Sequence, residues 1–179
     1  MLNRWIFEDW RSSPNPEQSK IAILQEVYNK YGHFEVCTHF ENGEWSKRRD
    51  VLRCNELEEW WRLSKANNRT ILPCEIVIDL DPDTNDTRDS MRLKANKVKE
   101  YCDKFQLNAT VFFSGSRGYH IHIFSTTIMN YNEKQKRNIR TTILKFLDAD
   151  LTKISEKTTI ALEYTPHWKT GIDKDVEVV

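Results

Sequence analysis

The chain has 179 residues, 39% hydrophobic and 30% charged, with only five glycines and five prolines. That length and composition support a buried core without disulfides, which excludes a disordered segment and a disulfide-scaffolded miniprotein. Its 27 lysines and arginines are matched by 27 acids, so no global basic excess marks a nucleic-acid binder, although acids gathered at a metal site would mask a local basic stripe.

Cys37, Cys54, Cys74 and Cys102 lack CxxC spacing. They read as buried thiols of a reducing compartment, and no structural zinc is expected; Cys37, His39 and Cys54 are the set from which one would be built. The opening MLNRWIFEDWRSS has no long apolar run and reads as neither signal peptide nor membrane span, so an intracellular soluble protein is expected.

In chain order, Asn15-Pro16 opens a helix carrying Ile21, Leu24, Val27, Tyr28 and Tyr31 at helical spacing, and Gly32 stops it. Residues 33–40 read as a strand with Phe34, Val36, Thr38 and Phe40 on one face, followed by an Asn42-Gly43 hairpin turn. Asn55 and Glu58 have capping-box spacing ahead of a helix with Leu57, Trp60, Trp61 and Leu63, and 66–70 reads as a polar loop. CEIVIDL at 74–80 is the clearest strand, apolar on both faces and therefore expected to be central. A helix through Met91, Ala95, Val98, Cys102 and Phe105 follows, then a strand at 109–113, the turn SGSRG and a strand YHIHIF. Asn132 and Gln135 start another helix, and TTIALEY and VEVV are the last strand candidates. This order predicts an α+β fold in a single domain over 1–179, with an N-terminal part (1–70) and a motif-bearing core (71–179).

Two constellations carry chemistry. Asp79 and Asp81 stand two apart at a strand end and share a face, so their mutual repulsion calls for a cation such as Mg²⁺ or Mn²⁺. A solvated acidic turn, DLDPDTND, is the plain alternative. In SGSRGYHIH, the amides of the turn and the Ser114 and Ser116 hydroxyls suit a phosphate, Arg117 can pair with it bidentately, and His120 and His122 project from one face of the next strand. A plain hairpin with half-buried histidines is the alternative there.

An acid pair ending an apolar strand (IVIDLD), then helix, strand and SGSRGYH, closely resembles the catalytic subunit of archaeal and eukaryotic primases. It is also similar to the polymerase domain of bacterial end-joining ligases. The resemblance is good over roughly 34–124 and weaker over the last 55 residues. It implies a primase-polymerase core with a central mixed or antiparallel sheet flanked by helices, in which Asp79 and Asp81 bind two divalent ions while Ser114, Arg117 and His120 hold the nucleotide's phosphates. The activity implied is template-directed nucleotidyl transfer from NTPs or dNTPs on single-stranded DNA, in some members with a second subunit or accessory domain. WSKRRDVLR looks like the basic strand and loop ahead of the first motif.

The third acid is open. Glu163 in TTIALEY is similar to the ligase-associated layout, with Glu in place of Asp. Asp173 in GIDKDV looks more like the primase-subunit pattern, but the chain then ends before that family's downstream basic and His residues, as one domain of a longer protein would. Asp150 is the remaining option, with His167 and Lys169 in HWKTG resembling the family's late His-x-Lys-Thr-Gly. Lys47, Arg48, Arg49, Arg53, Trp60 and Trp61 suit a template strand, with at least one tryptophan expected in the core. Two other readings compete: a non-catalytic nucleotide- or template-binding module, and a His-hydrophobe-His nickase using Tyr101, Tyr131 or Tyr164.

Overall fold

The computed structural model describes residues 6–52 and 57–177. Its elements are α1 (Pro16–Tyr31), β1 (Glu35–Cys37), β2 (Arg49–Asp50), α2 (Leu57–Lys65), β3 (Asn68–Thr70), β4 (Glu75–Leu80), α3 (Arg88–Lys104), β5 (Ala109–Phe113), β6 (Tyr119–Phe124), α4 (Glu133–Phe146), β7 (Thr159–Ala161) and β8 (Asp175–Val176). Short 3-10 turns lie at Thr126–Asn130 and Leu151–Ile154. The described strands form two antiparallel sheets, ordered β2-β1-β3-β7 and β4-β6-β5-β8. The α+β class holds, and no described helix is long and apolar enough to cross a membrane.

Local rules account for the helices. Proline sits in the first turn of α1. Thr87–Ser90 and Asn132–Gln135 form reciprocal capping boxes on α3 and α4, each satisfying two amides that a bare helix end leaves open.

The strands depart from expectation in several places. The described strands lie in two antiparallel sheets, and β4, expected to be central, lies at the edge of the second. An apolar strand reports burial on both faces, not neighbours on both edges. Here Arg140 of α4 reaches the open end of β4, donating to the Glu75 and Leu72 carbonyls. The expected strand at 33–40 shortens to β1, because the chain leaves the ladder for the Asn42-Gly43 turn and Phe40 ends exposed. The expected loop at 66–70 contains β3, which pairs with both β1 and β7. The Asn55 of the expected capping box, with Arg53 and Cys54, lies outside the described residues, as do Val178 and Val179.

The second sheet has two different faces. Ile76, Ile78, Leu80, Tyr119, Ile121 and Ile123 point one way and pack under α3 and α4, each such burial stabilising by roughly 1.5–3 kcal/mol. Glu75, Val77, Asp79, His120 and His122 point the other way, toward the first sheet, where Val77 meets Ile71 and Ile160.

Between the sheets lies a buried ionic cluster. Arg69 of β3 donates to both Glu75 (2.8 Å from each carboxylate oxygen) and Glu163 (3.0 and 2.9 Å). Lys174 donates to Glu163 at 2.9 Å, to the Ala161 carbonyl at 2.7 Å and to His122 Nε2 at 2.9 Å. His122 Nδ1 then donates to Glu75, so the imidazole is neutral; burial first, then Lys174, lowers its pKa to about 4. Two cations and two carboxylates cancel. Burial opposes the charge on Glu163, but Arg69 and Lys174 prevail and hold its pKa at about 2.

Removing one partner of such a cluster leaves uncompensated buried charge. Glu163→Gln is expected to cost about 3 kcal/mol or more, read as a Tm lower by roughly 6 °C or more. Because the folded pKa is depressed, the wild-type advantage is complete above about pH 4.5 and shrinks as pH falls toward 2. A variant with wild-type Tm across that range would contradict the structural role.

Candidate active site

A cleft of about 380 Å³ opens at the outer end of the polar face, lined by Asp79, Asp81, Ser114, Ser116, Arg117, Gly118, His120 and Lys153 among others. That volume lies within the usual span of small-molecule sites. Asp79 and His120 are directly opposed across the β4–β6 ladder. Asp81, two residues beyond Asp79, stands exposed at the rim.

Burial dominates the electrostatics. It raises the pKa of Asp79, with Lys153 acting against it, and it lowers that of His120 well below the usual range, helped by Lys174, His122 and Lys153. His120 Nε2 is 3.4 Å from Asp79 Oδ1, yet a neutral imidazole makes no ion pair. Asp79 Oδ1 and His120 Nδ1 are both buried without a hydrogen-bond partner. Most buried polar atoms in folded proteins have a partner, so such exceptions call for an explanation. Asp79 Oδ2 has one cation, Lys153, at 3.1 Å.

The turn between β5 and β6 closes by a bond from the Ser114 amide to the Gly118 carbonyl at 3.1 Å. Gly115 has φ +85°, and a Cβ there would overlap the Ile172 carbonyl and sit 2.8 Å from His167 Cβ. Only glycine lets the turn lie against the 167–172 loop. Thr170 Oγ1 donates to the Gly115 carbonyl, tying the two loops together. His167 also lines the cleft. Its Nδ1 accepts from the Lys169 and Thr170 amides, at 3.3 and 3.4 Å, so Nε2 carries the proton.

The structure thus brings together Asp79, Asp81, Ser114, Ser116, Arg117 and His120. It does not bring His122 or Glu163 to them: these side chains are fully buried and bonded to Glu75, Arg69 and Lys174. His122 shares a face with His120, as strand alternation requires, but that face continues under the first sheet. Asp173 pairs with Arg11 at 2.9 Å and is not among the residues lining the cleft. Asp150 does approach: its carboxylate lies 4.0 Å from the same Lys153 ammonium that holds Asp79. Among the described residues no three His, Cys, Asp or Glu side chains form a ready metal cluster.

Sequence reasoning missed Lys153, which lies in no motif, and an aromatic pile at the cleft mouth. His39 stacks on Trp45, with centroids 4.0 Å apart, and meets Trp168 at 4.2 Å. Bulky residues flanking the Asn42-Gly43 turn were the available signal. Trp60 packs on the core and Trp61 is exposed.

Gly115→Ala is expected to destabilise by more than about 1 kcal/mol, since its φ is positive. It is also expected to separate the two loops by displacing the Ile172 carbonyl from the turn; an unchanged Tm would contradict this.

A family model described as "LigD, primase-polymerase domain" matches residues 46–162. Among solved structures, the fold resembles the polymerase domain of Mycobacterium tuberculosis ligase D in complex with DNA. The TM-score is 0.59 at 10% identity, covering 97% of this chain and 84% of that one. No curated protein matches the sequence significantly. The match spans more than half the chain, and the protein belongs to the LigD primase-polymerase domain family, part of the archaeo-eukaryotic primase superfamily.

Proposed function

We propose that the chain catalyses template-directed nucleotidyl transfer from NTPs or dNTPs, with two divalent ions, Mg²⁺ or Mn²⁺, in the cleft. The observation that carries this reading is the placement of Asp79 and His120 side by side next to the SGSRG turn, in a chain whose family supports nucleotidyl transfer.

The donor set fits a hard cation. Asp79 offers a buried oxygen without a partner, and Asp81 offers a second carboxylate on the same face. Asp150 is the third acid we favour, because it faces the same ammonium as Asp79. When bound, the ions would supply charge neutralisation at the attacking 3′-hydroxyl and the triphosphate. Ser114, Ser116 and Arg117 line the cleft as phosphate donors, and His167 adds an N–H on the opposite lip. Neutral His120 can donate a hydrogen bond there without adding a competing charge. The 3′-oxygen forms a bond to the α-phosphorus as the bond to pyrophosphate breaks, and the residues act mainly by positioning and charge stabilisation.

For the template we favour a groove of about 880 Å³ adjoining the cleft through His39, His167 and Trp168. It presents Phe40, Trp61, Lys65 and Lys169, the mixture of aromatic faces and cations that single strands use. Lys47 and Arg49 lie along its continuation beside Trp61.

Extension of a primed single-stranded template with Mn²⁺ or Mg²⁺ tests the reading. The wild type is expected to extend, and Asp79→Ala/Asp81→Ala to lose about 100-fold or more. Extension that survives the double substitution would sink the assignment. Metal-dependent triphosphate binding without any extension would leave only a binding module.

A further inference from the structure

Lys153 is the charged group closest to the acid pair that neither motif accounts for. It stands in the 3-10 turn Leu151–Ile154, between β4 and α4 in space, with a largely buried side chain. Its ammonium lies 3.1 Å from Asp79 Oδ2 and 4.0 Å from Asp150 Oδ2, and donates to the Thr159 carbonyl at 3.4 Å. It therefore sits between the two carboxylates that the proposed function assigns to a divalent cation. The opposite oxygen of Asp79 has no hydrogen-bond partner, and the neighbouring imidazole of His120 is neutral. Lys153 is thus the cation that makes a buried Asp79 carboxylate tolerable in the protein alone.

A lysine and a divalent ion cannot both occupy that position, because like charges a few ångströms apart repel strongly at low local dielectric. Lysine is suited to exchange. Its charge is compact, its stem has four flexible carbons, and it lacks the rigid bidentate fork with which arginine locks onto a carboxylate. Its acceptors other than Asp79 are long contacts, and the cleft beside it gives the ammonium room to swing.

We propose that Lys153 is an exchangeable counter-ion: it neutralises Asp79 in the metal-free protein and must swing out of the acid site for a divalent cation to bind. The inference rests on the reading of Asp79 and Asp81 as metal-binding acids. It makes Lys153 a competitor that sets metal affinity, the reverse of a residue that builds the site.

The test is Mn²⁺ binding to the nucleotide-free chain, by electron paramagnetic resonance or calorimetry. Wild type, Lys153→Met and Asp79→Asn would be compared, with circular dichroism confirming the fold. Lys153→Met is expected to bind Mn²⁺ at least tenfold more tightly than wild type. Unchanged or weaker binding by a folded Lys153→Met overturns the inference while leaving the acid reading intact, provided that Asp79→Asn lowers wild-type affinity. If Asp79→Asn has no effect, the acid reading itself fails and takes the inference with it.

A second measurement needs no variant at this position. The side-chain Cε resonance of Lys153, followed by NMR during a Mg²⁺ titration of the wild type, is expected to shift with the same midpoint as metal binding. A resonance that stays fixed at saturating Mg²⁺ overturns displacement even if Lys153→Met binds more tightly, because that gain would then be through-space repulsion alone.

Discussion

The organisation of this molecule depends on how one row of titratable side chains is neutralised. Glu75, Asp79, His120 and His122 all leave the same face of the β4–β6 ladder, and that face lies against another sheet rather than water. The inner half of the row is matched within the protein by Arg69 and Lys174, with His122 as a neutral link between Lys174 and Glu75. The outer half is not matched in the same way. Asp79 has one ammonium and one unsatisfied oxygen, and His120 has an unsatisfied nitrogen. A closed cluster holds the sheets together, and an incomplete one borders the cleft. The difference between structural and chemical residues on the same two strands is therefore a difference in how fully each charge is compensated.

That distinction explains what was legible in the sequence. Period-two alternation identified the shared faces of Asp79 with Asp81 and of His120 with His122, and the apolar strand and glycine turn located them in the chain. Alternation does not say how far along a strand a face remains open. His122 lies one pair deeper than His120, opposite Val77, and is sealed. Glu163 read as an isolated acid in a strand-like segment, but its partners Arg69 and Lys174 come from positions 94 and 11 residues away. Arg69 itself made 66–70 look like a loop, since a polar run is normally solvent-facing; here the polarity serves the interior. Lys153 was illegible because its role comes from a 3-10 turn folded against β4, with no local pattern to announce it.

The boundary between the two clusters also constrains how the cleft works. His120 touches both settings: its ring is 6.2 Å from that of His122, and its proton affinity is lowered chiefly by burial and then by Lys174, His122, Lys153 and Arg69. Lys174 and Arg69, which pair with Glu75 and Glu163, thus act on His120 in the same direction as burial. A charged imidazole beside Asp79 would form an ion pair there and occupy the oxygen that the proposed function assigns to a hard cation. The interior cluster thus bears on the cleft without any of its members entering it. Compensation is complete between the sheets and incomplete where the cleft opens, and the same two strands carry both because β6 runs from the cleft straight into the space between the sheets.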